Sequence, residues 1–176
     1  MRRRFRQEFL RTSERYRNIC FYIFYATKSM HDLFMREALV LAEQAATVGE
    51  VPVGALVVVA GQVVGRGSNS PISRNDPTAH AEILALREAA QALGNYRLEE
   101  ATLYATLEPC VMCAGALVAA RVKTLVFGAR DLRFGGVRSK FRMADSEILN
   151  HRVEIIEGVL AAECVEILQR FFEARR

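Results

Sequence analysis

The chain has 176 residues, a length that predicts a single domain large enough to bury a hydrophobic core. No uninterrupted apolar run approaches the roughly 20 residues that span a membrane, so we expect no membrane partner. The net charge of +4 comes from residues 1–30, which hold eight basic and two acidic side chains. The remainder is slightly acidic, so bulk charge does not predict nucleic-acid binding, and only local patches could support it.

Residues 1–30 are predicted to form a basic extension that is disordered or dispensable, followed by one domain over residues 31–176. The apolar run from Cys20 to Tyr25 is short and has no small-residue cleavage pattern after it, so a secretory signal is not expected. The arginine content leaves two weaker interpretations open, an organelle transit peptide and a nucleic-acid-binding arm.

The first half of the domain is predicted to contain a helix, a hairpin and a second helix. Apolar residues recur at three- and four-residue spacings over residues 33–45, which indicates an amphipathic helix. The β-branched run over residues 53–60 and the short run at 63–64 predict a hairpin. Glycine and proline over residues 65–71 predict a long loop. Thr78 is the expected N-cap of the second helix, because threonine is favoured at that position.

The second half of the domain continues the alternation of strands and helices. The predicted elements are a strand at 101–107, a helix at 110–120, a strand at 122–127, a polar loop at 130–147, a strand at 153–157 and a helix at 161–172. Alternating elements of this kind predict an α/β fold in which helices cover both faces of one sheet.

The four cysteines are spaced unevenly. Cys110 and Cys113 are three residues apart, whereas Cys20 and Cys164 are isolated. This is not the pattern of a disulfide framework, and it predicts a reducing compartment and one metal-binding pair. We expect the two isolated cysteines to be small buried hydrophobic residues.

Two short motifs carry the chemistry of the chain, and both lie where a helix is predicted to begin. Cys110 and Cys113 are neighbours on one helical turn, so both sulfurs can reach one ion, and His80 can supply a third ligand. Three protein ligands leave the fourth position of a tetrahedral zinc ion for water. A carboxylate beside that water, here Glu82, can then act as a general acid and base.

Two other interpretations of these residues are weaker. A thioredoxin-like redox pair needs no partner histidine and leaves Glu82 without a role. A structural zinc site would require a fourth protein ligand, and none is obvious nearby. The other two histidines, His31 and His151, are expected to be surface or cap residues.

The amino-acid sequence around these motifs resembles that of a known family. His80-Ala81-Glu82 together with Pro109 to Cys113 is the pattern of the zinc-dependent nucleobase deaminases. The runs from Asp76 to Glu82, from Phe127 to Asp131 and from Asn150 to Glu154 resemble more specifically the bacterial tRNA-specific adenosine deaminases, within the cytidine/deoxycytidylate deaminase superfamily. The resemblance covers nearly all of the domain and excludes the N-terminal extension.

The resemblance implies a three-layer α/β/α cytidine-deaminase-like fold with a five-stranded mixed sheet. It implies a cytoplasmic homodimer that carries one Zn²⁺ per subunit, with active sites near the subunit interface. The implied reaction is the hydrolytic deamination of adenosine to inosine at the wobble position of a tRNA anticodon, by attack of a zinc-activated water on the purine C6. Glu82 would move protons from that water to the ring nitrogen and the leaving amine.

The resemblance also suggests which residues hold the flipped nucleotide. The candidates are Asn69, the backbone amide of Ala81, the wall residues Glu50 and Val51, and Asp131. Each polar side chain among them could instead be a turn former or a cap.

The run from Arg130 to Arg142 departs from the usual sequence of the family. Its five basic residues and two phenylalanines suit contact with a single-stranded RNA loop. The alternative is a solvated loop with Phe134 and Phe141 packed inward. Possible RNA contacts are Arg130, Arg133, Arg138, Lys140 and Phe172.

Two competing functions remain open at this point. One is a guanine or cytosine-nucleoside deaminase of the same superfamily, which the downstream Phe127–Asp131 and Asn150–Glu154 runs disfavour. The other is a non-catalytic, zinc-containing RNA-binding subunit, which the presence of Glu82 disfavours because a structural zinc site needs no proton carrier.

Overall fold

The computed structural model describes residues 30–176, and within it residues 34–176 form one compact unit. The predictions for the N-terminal extension and for Cys20 lie outside the described residues. The strands are β1 (Gly54–Val59), β2 (Gln62–Ser68), β3 (Thr102–Leu107), β4 (Thr124–Ala129) and β5 (Glu154–Glu157). The helices are α1 (30–47), α2 (Pro71–Arg74), α3 (Ala81–Leu93), α4 (Val111–Ala119) and α5 (Ala161–Glu173). None of the described helices has the length and apolar character needed to cross a membrane.

The five strands form one mixed sheet in the order β2-β1-β3-β4-β5. β1 pairs antiparallel with β2 and with β3, whereas β3, β4 and β5 run parallel to one another. Parallel neighbours need a crossover connection, and α4 supplies it between β3 and β4. The carboxyl end of the central strand β3 therefore leads directly into α4.

Side chains of the central strands alternate between two separate cores. Val57, Leu103 and Phe127 pack in the core that α3 and α4 cover. Leu56 and Val126 point the other way, into the core that α1 and α5 cover. Each such buried side chain stabilises the fold by about 1.5–3 kcal/mol, so both faces of the sheet must stay covered. The predicted three-layer α/β/α fold with a five-stranded mixed sheet is confirmed.

The glycines after the hairpin turn were expected in a loop, but β2 continues through them to Ser68. A Cβ atom built on Gly65 would overlap the carbonyl oxygen of Ala85, and one on Gly67 would overlap that of Ala81. The backbone of α3 therefore lies directly against β2, and only glycine permits this approach. The prediction was wrong because glycine was taken as a turn signal when its role here is close packing.

The N-cap prediction for α3 is also wrong, because His80 and not Thr78 occupies that position. The backbone N–H and the hydroxyl group of Thr78 donate to Oδ1 of Asp76, at 2.8 and 2.7 Å. Thr78 therefore closes a polar turn before the helix. As a result the side chain at the helix start is the imidazole of His80.

A substitution of Gly67 by alanine is expected to lower the free energy of unfolding by about 2 kcal/mol or more, because the new methyl group overlaps the α3 backbone. Urea denaturation followed by circular dichroism measures this change. Gly115→Ala is the matched control, since a Cβ there meets no atom within 4 Å and lies in α4. The control is expected to be neutral or slightly stabilising, by up to about 1 kcal/mol. Equal losses for the two variants would contradict the close-packing role of Gly67.

Candidate active site

Two helix N-termini converge on one point of the sheet edge. His80 is the N-cap of α3 and Cys110 is the N-cap of α4, and both have extended backbone conformations, with φ/ψ of −71°/151° and −70°/175°. The imidazole of His80 forms no capping hydrogen bond with α3, so it is available to face the sulfur of Cys110. The partial positive charge at these N-termini favours a thiolate and a carboxylate nearby.

The predicted ligand residues come together. Nδ1 of His80 lies 3.6 Å from Sγ of Cys110 and 3.6 Å from Sγ of Cys113. All three donor atoms lie within 4.8 Å of one another, and the group could hold a metal ion. The carboxylate of Glu82 is not a member of this group, although it is buried in the first turn of α3. His151 lies elsewhere, where its ring donates to the carbonyl oxygen of Val122 at 2.7 Å.

The surroundings change the ionisation of these groups. Burial raises the pKa of Glu82, which favours its protonated form more than in water. Hydrogen bonding lowers the pKa of the Cys110 thiol to about 4, and the hydrogen bond with Cys113 contributes more than the one with His80. Hydrogen bonding to Cys110 raises the pKa of His80. The group thus already contains a thiolate at neutral pH, which is the form that binds metal ions.

A cavity of about 750 Å³ opens in front of the donor group, a volume within the usual range for small-ligand sites. Glu82 also lines it, together with six of the residues predicted to contact the nucleotide or the RNA: Val51, Asn69, Arg130, Asp131, Arg133 and Phe172. Side chains from six different segments of the chain therefore converge where the sequence predicted a substrate.

Four predicted contact residues do not line the cavity. Ala81 is the first residue of α3, and its side chain is buried. Glu50 is also buried, and its Oε1 accepts the N–H of Ser73 in α2, at 2.7 Å. Arg138 forms an ion pair with Asp145 at 2.8 Å. Lys140 is exposed outside the cavity lining, and its RNA contact, like that of Arg138, stays a prediction.

The side chain of Asp131 forms hydrogen bonds within its own turn. Its Oδ1 accepts the N–H groups of Arg133 and Phe134, at 2.9 and 3.0 Å, so the side chain closes the loop that follows β4. The structure therefore agrees with the alternative in which Asp131 is a turn former or a cap. Arg130 is held by a bidentate pair with Glu157, at 2.8 and 2.9 Å.

Aromatic side chains stand at the mouth of the cavity. Phe134 is 63% exposed and Phe172 is 49% exposed, and both belong to the lining. Phe141 is 54% exposed, so the alternative in which Phe134 and Phe141 pack inward is wrong. The guanidinium carbon of Arg133 lies 5.5 Å from the ring centroid of Phe134, and within residues 30–176 this arginine has no ion-pair partner. Exposed rings beside an unpaired cation are suited to stacking against bases.

The sequence did not single out Glu108, which lines the cavity and is only 2% exposed. Its carboxylate accepts hydrogen bonds from the loop that follows β4. The available signal was an acidic residue directly after a buried strand, since a carboxylate there must find donors or face a large desolvation penalty.

Comparisons with known proteins match this geometry. A model of the MafB19-like deaminases matches residues 29–176. The tRNA-specific adenosine deaminase of Haemophilus influenzae is 52% identical over 143 residues, which cover 81% of this chain and 83% of that protein. This chain belongs to the tRNA-specific adenosine deaminase family. The resemblance stated from its sequence motifs is confirmed.

Solved structures of other deaminases have the same fold as this chain. A structure from work on A-to-I editing by tRNA:A34 deaminases superposes with a TM-score of 0.74 at 44% identity, over 77% of this chain and 98% of that one. The guanine deaminase of Nitrosomonas europaea superposes with a TM-score of 0.71 at 24% identity, over 80% of this chain and 83% of that one. The second similarity shows the fold alone. The fold by itself therefore does not determine which base a protein of this fold deaminates.

The purified protein is expected to hold about one metal ion per chain, measured by elemental analysis. Cys110→Ala and Cys113→Ala should each reduce this content to below about 0.1, because two remaining donors bind too weakly. Cys164→Ala is the matched control, since Cys164 is buried, as predicted, but lies outside the donor group. Full metal content in the Cys110 and Cys113 variants would contradict the assignment of these ligands.

Proposed function

We propose that the protein catalyses the hydrolytic deamination of adenosine to inosine at the wobble position of a tRNA anticodon, with release of ammonia and with Zn²⁺ as its cofactor. The observation that carries this proposal is the position of the buried Glu82 carboxylate beside an open three-donor group at the floor of a nucleoside-sized cavity. The 52% identity to a tRNA-specific adenosine deaminase selects the substrate.

The donor group fits zinc. Bond lengths of about 2.3 Å to sulfur and about 2.05 Å to nitrogen at tetrahedral angles give an S···N separation of about 3.6 Å. Both sulfurs lie 3.6 Å from Nδ1 of His80. Within the described residues no fourth donor joins the group, which leaves a coordination position open as in catalytic zinc sites.

His80, Cys110 and Cys113 would hold the ion, which when bound would acidify a water molecule and so supply a nucleophile at neutral pH. Glu82 would receive the proton that this water loses. It would deliver this proton to the ring nitrogen as the water oxygen bonds to C6. It would then take the second proton from that oxygen and pass it to the amine, so that the C6–N bond breaks and ammonia leaves. Burial raises the pKa of Glu82, which favours the protonated form that donates to the substrate.

The cavity walls would orient the nucleotide. Val51 and Asn69 line one side of the cavity, and Asp131 lies in the wall that follows β4. Ala81 would contribute its backbone N–H, because the first amides of a helix have no acceptor within the helix. Glu50 would act indirectly, since it binds the α2 turn that follows Asn69.

The mouth of the cavity would hold the neighbouring nucleotides of the anticodon loop. Phe134 and Phe172 present exposed rings for base stacking, and Arg133 and Arg130 bring positive charge near the phosphates. A tRNA substrate would place the reaction in the cytoplasm.

We also propose that the protein is a homodimer. All nine residues of α4 are apolar, and Val111 and Met112 on its outer face are exposed. A partner subunit would cover this face. Sedimentation equilibrium that gives a monomer mass at micromolar concentration would contradict the proposal.

The wild-type protein is expected to convert adenosine to inosine in an anticodon stem-loop that carries a wobble adenosine, detected by mass spectrometry of nucleosides. Free guanine and free cytidine, tested as the controls, should remain unchanged. Turnover of guanine or cytidine with no inosine in the stem-loop would overturn the proposed substrate and favour a small-molecule deaminase.

Glu82→Gln is expected to reduce kcat by about 10²–10⁴-fold, because the amide cannot carry the proton. Metal content should stay at the wild-type level, since Glu82 lies outside the donor group. Glu88→Gln makes the same chemical change on the exposed side of α3 and should leave kcat unchanged. Wild-type turnover by the Glu82 variant would remove its role as proton carrier.

A further inference from the structure

A single buried carboxylate holds most of one cavity wall. Oε1 of Glu108 accepts the backbone N–H groups of Val137, Arg138 and Ser139, at 3.1, 2.6 and 2.8 Å. Oε2 accepts the backbone N–H of Asp131 at 3.1 Å and the hydroxyl group of Ser139. Burial alone would raise the pKa of Glu108, but these hydrogen bonds hold it below the usual range, so the side chain is a carboxylate.

The residues bound by Glu108 control the position of the wall. Asp131 is anchored through its own amide, and its side chain in turn fixes the N–H groups of Arg133 and Phe134. Residues 130–134 all belong to the cavity lining. Displacement of the Asp131 amide would therefore move Arg133 and Phe134, which present charge and an aromatic ring at the mouth.

The loop lies directly on the segment that carries the metal ligand. Gly135 pairs with Cys110 in an isolated β-bridge, and the N–H of Gly136 donates to the carbonyl oxygen of Pro109 at 2.8 Å. A Cβ atom on Gly135 would overlap the Glu108 carboxylate. The same three residues, Glu108 to Cys110, thus connect the donor group to the loop over residues 131–139.

We propose that Glu108 is a positioning residue for RNA recognition: it sets the place of the 131–134 wall and, through it, the affinity for the nucleotides that flank the reacting base. This proposal rests on the proposed function, since it names how the same cavity binds its RNA. Glu108 has no role in the proton transfers, which belong to Glu82.

Glu108→Gln tests the proposal, because an amide can keep the three hydrogen bonds at Oε1 but leaves the Asp131 N–H facing an NH₂ group. KM for the stem-loop is expected to rise about tenfold, while kcat stays within about threefold of wild type. Metal content should not change. Glu99→Gln is the matched control, since this carboxylate is exposed and outside the cavity lining, and it should leave KM and kcat unaltered.

Hydrogen–deuterium exchange of the substrate-free protein gives an independent measurement. Amides of residues 131–139 should exchange faster in Glu108→Gln, whereas those of α3 and α4 should not change. Failure of the wild-type enzyme to form inosine would refute the proposed function, but the exchange data would still decide whether Glu108 holds the loop.

A fall in kcat at unchanged KM, a loss of metal, or unaltered exchange at residues 131–139 would each overturn the proposal. Should Glu108→Gln fail to fold, Ser139→Ala decides, because it removes one donor to Oε2 and leaves every backbone amide paired. It is expected to raise KM about two- to threefold and to speed exchange in the same loop. No change in either quantity would overturn the proposal.

Discussion

The convergence of two helix N-termini at His80 and Cys110 is the constraint on which the site depends. His80 and Cys110 are N-cap residues and Cys113 lies in the first turn of α4, so the donor atoms are positioned by the fold. The meeting point is maintained because α3 lies directly against β2 at Gly65 and Gly67. The packing of α3 against β2, directly beside His80 and Glu82 at Ala81, therefore helps to set the spacing of the donor atoms.

Much of the fold and the donor group could be predicted from the sequence because the signals are local. Hydrophobic periodicity located nearly every element, and the spacing of Cys110 and Cys113 places both sulfurs on one helical turn. Two features that the sequence did not predict depend on contacts between distant segments. Gly67 is required by the backbone of α3, and no local pattern distinguishes that need from a turn. The role of Glu108 depends likewise on amides more than 20 residues away in the chain.

Two buried carboxylates support opposite walls of the cavity. Glu50 binds the α2 turn beyond Asn69, and Glu108 binds the loop beyond β4. Neither wall contains a long element of regular structure, so neither can be stabilised by a full helix or strand ladder. At Glu108, a carboxylate that accepts four backbone N–H groups provides that stability locally, since charge-assisted hydrogen bonds are stronger than neutral ones. The backbone of the walls is thus irregular and can follow the shape of a nucleotide. Hydrogen bonds to the buried carboxylates nevertheless fix its position.

The hydrogen bonds of Glu108 have a further consequence for how this enzyme family can diverge. Four of its five donors are backbone N–H groups, which every residue except proline provides. The attachment of the loop is therefore independent of most side chains along it. Exchange of Leu132, Arg133 and Phe134 is therefore not expected to release the wall, so the proposed RNA contacts can be varied there without a change at Glu82. Residues 132–134 are accordingly the segment to randomise when a new RNA specificity is selected, with Asp131 kept because its side chain closes the loop.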